Sequence, residues 1–303
     1  MSFPFACISE QSMRPINLFV RYAFFAFASL CALPVYATGS EANPAGLDQR
    51  ETVLRHIHDL RVSSQVISRL AEESVDGHAP SFDRLTSERN LMDIAFNSLE
   101  DSKLLGGCAA YPEAMATLSR LRANADSIIR VRSDVLAMSE ASDRFMSAAR
   151  DLSMAVDALI PVMRDSGSPP SQLVIAGRQH ILVERMAWRM EEIRSGATQL
   201  DALARDSSVL QMIIEGYRVG KPEMGVAKLP AEAQERLNAV ETAFNRMSEA
   251  GEDVRRFAPA ALPARSSIES VSGDAIVFLE QANLLAELIY SSHDGSPCSV
   301  DWR

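Results

Sequence analysis

Two short segments of this chain carry the polar side chains best placed to do chemistry. One is residues 60–69, LRVSSQVISR, with Arg61, Ser64 and Gln65; the other is residues 173–190, LVIAGRQHILVERMAWRM, with His180 and Glu184. Laid over one another, they place Arg61, Ser64 and Gln65 on His180, Val183 and Glu184. An Arg guanidinium donates in a planar fork that suits an oxyanion. A His with a Glu four residues on can meet it across one helical turn and respond to pH. Each also has a plain structural reading: Arg61 pairs with Asp59 or Glu72, and the His180–Glu184 contact holds its helix in a bundle.

No other residues converge on a reaction. GxSxG, P-loop, HExxH and GxGxxG patterns are absent from the chain. Glu72-Glu73 and Glu191-Glu192 read as solvated helix faces. His56 and His58, two apart on a helix, point in different directions, and Met186 and Met190 read as core filler rather than a copper site. There is no CxxC or HxxxH spacing, so no catalysis, no metal and no cofactor is expected. Forty acidic against 30 basic residues give a net charge of −10. That balance disfavours nucleic acid, which needs clustered Lys and Arg.

The elements that must position these residues are helices. Leu121, Ala125, Ile128, Val135, Met138, Phe145, Ala149, Leu152, Val156 and Leu159 recur in steps of three and four, interrupted by Arg132 and Ser142. Between Pro112 and Pro161 there is neither Gly nor Pro, which predicts one long helix, or two joined with little break, over 113–160. Further helices are predicted over 47–75, over 81–103 with Ser81 as N-cap, and from Ser171 to about Glu215 with a kink at Gly196. The last two are predicted over 231–257 and 264–291. The helix from Ser171 carries Ile175, Leu182, Met186, Met190 and Ile193 on one face. No strand pattern appears. The expected fold is all-α, an elongated antiparallel helical bundle of two tandem four-helix-type modules, 38–160 and 161–292, sharing a long helix.

Residues 1–37 read as a signal peptide. Arg14 and Arg21 precede the apolar run Tyr22–Leu33, and Val35-Tyr36-Ala37 has the form that signal peptidase cuts. The alternative is an anchor through residues 16–37, which is short for a bilayer span; no later run approaches that length. Cys7 and Cys31 would leave with the signal, and Cys108 and Cys298 could then pair in an oxidising compartment. Residues 293–303, HDGSPCSVDWR, read as an irregular tail.

The segment 173–190 resembles the AGRQRMLSQRMA-like signature of the PilJ-type domain, the periplasmic sensory domain of receptors that control type IV pilus twitching. The resemblance runs from about Leu54 to Leu288 and takes in FDRLTSERN (82–90), ARDSSVLQMIIEG (204–216) and VFLEQANLLAEL (277–288). Where the family signature has Arg, Ser and Gln, this chain has His180, Val183 and Glu184. IHDLRVSSQ (57–65) is also similar to a motif of nitrate-sensing histidine kinases in which an Arg, here Arg61, holds the anion at a dimer interface. The resemblance implies a non-catalytic periplasmic sensory domain acting through protein contact or a small ligand. Its implied partners are a second copy, a membrane chemoreceptor or pilin, and its implied ligand set is drawn from Arg61, Ser64, Gln65, His180 and Glu184. The alternatives are a small-oxyanion sensor using Arg61, or a truncated receptor, since full-length receptors continue into a HAMP linker and a signalling coiled coil.

The signal reading makes a direct prediction. Protein recovered from the periplasm should begin at Thr38 by N-terminal sequencing; an unprocessed chain in the membrane fraction would replace export with anchoring.

Overall fold

The structure, a computed structural model, describes residues 44–101 and 105–291, and the signal segment, the tail and Cys298 lie outside them. Among the described residues seven α-helices run in chain order: α1 (Pro44–Val75), α2 (Ala79–Glu100), α3 (Tyr111–Arg130), α4 (Arg132–Asp165), α5 (Pro170–Arg194), α6 (Leu200–Val219) and α7 (Gln234–Ser291). Among the described residues there is no strand, only an isolated bridge between Lys221 and Val226 in the loop before α7. The chain is an all-α helical bundle, as its periodicity predicts.

Turn chemistry sets most of the boundaries. Gly77, Gly167 and Gly196 all have φ between +77° and +106°. In each turn the next residue donates five positions back, as His78 to Glu73, Ser168 to Met163 and Ala197 to Glu192. This doubly bonded glycine turn satisfies the last carbonyls of a helix and reverses the chain. It corrects the expected kink at Gly196, where the helix ends and α6 begins anew at Leu200. Ser81 is likewise not an N-cap. Pro80 starts α2 two residues earlier, and the Ser81 hydroxyl donates to Glu73 at 2.7 Å. That bond, helped by Arg69, holds the Glu73 carboxyl below its ordinary range.

Two antiparallel rods organise the packing. One is α3 and α4, almost continuous and broken only at Val131 (φ −97°, ψ 17°). The other is α7, whose 58 residues run unbroken through Pro259 and Pro263, where a stop had been expected. At 1.5 Å per residue it is about 87 Å long. Contacts between the rods step forward on one as they step back on the other. Arg120 pairs with Asp274 at 3.0 Å, Ser127 meets Ser267 at 3.4 Å, Arg144 pairs with Asp253 at 2.9 Å, and the Phe145 ring lies against Gly251. All ten periodic positions from Leu121 to Leu159 are buried. Ser142, one of the two interruptions, is buried too and turns its hydroxyl back to the Met138 carbonyl at 2.8 Å.

The remaining helices clothe the rods in two groups: α1 and α2 pack with α3 and α7, and α5 and α6 with α4 and α7. The rod α3–α4 changes companions at Val131, so a division at residue 160 would fall inside α4. The groups meet beside the α7 prolines. Val75, Val135, Met138, Arg194, Ala261 and Arg265 surround a gap of about 20 Å³ there. Ala258, Ala261 and Ala264 are buried beside the two prolines. Each proline removes one backbone hydrogen bond and crowds the preceding turn, and burial of these alanines against the other rod keeps the helix whole.

Two substitutions test this arrangement by thermal melts followed with circular dichroism. Phe145→Asp should unfold the bundle, because an unpaired carboxylate buried at the rod contact costs several kcal/mol; a parental midpoint would remove Phe145 from the core. Gly77→Ala should lower stability by about 1–3 kcal/mol, since φ is +92° and the added Cβ would lie 2.5 Å from the Ser139 Cβ.

Candidate functional site

Arg61 lies half-buried on α1 and lines an open groove of about 380 Å³ with Leu54, Arg55, His58 and Tyr290. Arg55 is paired with Glu51 at 3.3 Å. The Arg61 Nε is buried without a hydrogen-bond partner among the described residues. The pairing expected with Asp59 or Glu72 does not form. Asp59, two residues back, points to another face of α1, and Glu72, eleven residues on, is three turns away. Ser64 is buried, and its hydroxyl donates to the Arg61 carbonyl at 2.8 Å. Gln65 donates to the Ala275 carbonyl of α7 at 3.1 Å. Of the three polar residues, only Arg61 faces the groove; the other two serve helix packing. A guanidinium with an uncommitted N–H beside His58 has the donors for a small anion.

On α5 the expected His180–Glu184 contact forms, with Nε2 3.1 Å from Glu184 Oε1. The other ring nitrogen lies 2.8 Å from the Ser153 hydroxyl, so the imidazole ties α5 to α4. Since α1 packs on α2, α3 and α7, and α5 on α4 and α6, the five residues singled out in the sequence do not converge on one site.

The structure adds polar groups that the sequence did not single out. Asp206 of α6 is only 7% exposed. Arg185 grips it through Nε at 3.0 Å and Nη2 at 2.6 Å, and Arg189 adds its Nε at 3.1 Å. The available signal was a pair of arginines one turn apart in the α5 motif, with an Asp in the segment ARDSSV. Between α2 and α3, Arg89 pairs with both Asp93 and Asp126, while Arg122 reaches Asp93 at 2.7 Å and lies over the Phe96 ring. Gln172 and Gln179 sit on the buried face of α5, where periodicity predicts apolar residues. Gln172 donates to the Ala227 carbonyl at 2.7 Å. Neither amide atom of Gln179 is hydrogen-bonded among the described residues. Burial also pushes the Tyr217 phenol well above its ordinary range. Met186 and Met190 are core filler, both fully buried.

Among the described residues no cluster of His, Cys, Asp and Glu is arranged to hold a metal, and no helix is long and apolar enough to cross a membrane. Cys108 is buried and disulfide-bonded. The expected partner, Cys298, lies outside the described residues.

No family model matches the chain. It is similar to a methyl-accepting chemotaxis protein, AlkN, of Alcanivorax borkumensis, with 25% identity over 286 residues, 91% of this chain and 41% of that protein. It is also similar to PilJ of Pseudomonas aeruginosa, with 25% identity over 245 residues, 77% of this chain and 36% of that protein. The chain thus spans less than half the length of these chemotaxis relatives, and the matched part takes in most of its helices.

The geometry separates a structural arginine cluster from an idle one. Asp206→Ala, which strands two guanidiniums, should cost about 1–3 kcal/mol in denaturant unfolding. Arg61→Ala should stay within about 0.5 kcal/mol of the parent. Reversal of that order would make Arg61 the structural residue.

Proposed function

We propose that this chain is a non-catalytic sensory or binding domain of the chemoreceptor type, exported to the periplasm and acting through protein contact. The observation that carries the reading is similarity to two chemotaxis proteins that extends over 91% of the chain in one case. The helical bundle agrees with it, as does the way its strongest polar clusters are spent on holding helices together. In this reading the two tandem modules divide near Val131, rather than at residue 160, and share α7, and the domain docks on a membrane chemoreceptor or on pilin. Removal of the signal would leave Cys298 as the partner of Cys108; the exported chain would then carry no thiol that alkylates without reduction, as mass spectrometry can read.

A second reading has one observation behind it. The groove at Arg61 combines an open approach with a buried, unpartnered Nε–H, which favours a small oxyanion such as nitrate. Ser64 and Gln65 add nothing to it, their side chains being engaged elsewhere.

One pair of experiments decides between the readings. Pull-down of the exported chain against a pilus chemoreceptor's periplasmic domain and against major pilin should capture at least one. Calorimetric titration with nitrate should show no saturable heat for the parent or for Arg61→Ala. Saturable binding lost in Arg61→Ala, with no protein captured, would reverse the order of the two.

A further inference from the structure

The backbone weak points of the two rods fall at one level. The rod α3–α4 breaks at Val131. Between the contacts Ser127–Ser267 and Arg144–Asp253, Val131 stands opposite the turn of α7 that follows Pro263. Pro259 and Pro263 have no N–H, so the Arg255 and Pro259 carbonyls lose their helical donors. The flanking helices end here as well, α1 turning into α2 at Gly77 and α5 into α6 at Gly196. Among the described residues, the rods alone cross this level. Each crosses it with an interrupted hydrogen-bond ladder. The side chains that α7 buries here are Ala258, Ala261 and Ala264, which present no large knob to interlock with the other rod. Prolines and element ends are where helices bend and where hinges absorb a change in φ and ψ.

Arg265 holds the level closed. Its Nη2 donates to the Val75 carbonyl, the last of α1, at 3.1 Å and pairs with Asp76 at 3.1 Å. Its Cδ lies 3.8 Å from the place a Cβ on Gly196 would occupy. One side chain of α7 thus touches the turns of both helix groups. Beside it, the gap lined by Val75, Met138 and Arg194 has room for about one water, so packing around the latch is incomplete.

We propose that residues 131–139 and 258–265 form a hinge, latched by Arg265, about which the α1–α2 and α5–α6 groups tilt relative to one another. A contact made on one group is passed to the other as a change of angle. The tilt needs no receptor, pilin or anion, so its test and that of the function proposed above fail separately.

Pulsed electron–electron double resonance on the exported chain reads the tilt. Spin labels at Ser87→Cys on α2 and Ser208→Cys on α6, both exposed, span the hinge; labels at Ser171→Cys and Ser208→Cys stay within one group. Cys108, disulfide-bonded, takes no label. Arg265→Ala should widen the spanning distance distribution about twofold, as a second orientation becomes populated, and leave the other pair at its parental width. Adding Pro259→Ala and Pro263→Ala restores the ladder and should narrow the distribution again. Equal spanning widths in the parent and Arg265→Ala, widening in both pairs, or no narrowing by the alanines would overturn the hinge. Hydrogen exchange tests the parent without any substitution: amides of residues 131–135 and 260–267 should exchange before those of 145–152 and 240–247. Uniform protection along the rods would overturn the hinge as well.

Discussion

The antiparallel contact between α3–α4 and α7 is the constraint on which the rest of the structure depends. Single helices owe most of their stability in water to the packing of an apolar face, and here each rod supplies the other's partner along most of its length. Each of the other four helices packs on at least one of the rods. The contact is also what lets α7 run through two prolines. Small buried residues at Ala258, Ala261 and Ala264 bring the rods together where the helix has lost backbone bonds, and the turns at Gly77 and Gly196 close on the same place from either side.

Polar groups divide by burial into two kinds of work. Pairs such as Arg132–Asp83, with its carboxylate 70% exposed, trim the surface and add little to stability. Asp206 and Gln172 are buried and bonded to other elements, so sliding α5 along its neighbours would leave each without its partner. Register rather than stability is what such groups supply. The same division bears on function. His180 and Arg185, prominent in the α5 motif, are engaged with neighbouring helices, whereas Arg61 is left with a donor uncommitted.

Much of this was legible in the chain. The steps of three and four from Leu121 to Leu159 all fell on buried positions, and the His180–Glu184 contact followed from a spacing of four. The differences have a common source. A glycine in a helical pattern, as at Gly196, does not say whether the chain continues or reverses; its φ of +106° decides that. The local cost of the α7 prolines predicts a stop, and the compensating rod is invisible in the sequence. Asp59 and Glu72 are the carboxylates the sequence offers Arg61, and helical geometry pairs it with neither.

By itself, the sequence determined that the chain is helical, which faces are apolar, where most turns fall and that its net charge is acidic. These are properties of a residue and its near neighbours: backbone preference, side-chain type and a period of 3.6. Only the tertiary structure decided that α7 is one helix serving both groups, that Asp206 is clamped by two arginines, that Gln179 lies in the core, and that Val174, Ile181 and Trp188 lie outside it. Those outcomes turn on which helix lies against which, and that choice is made by non-local packing.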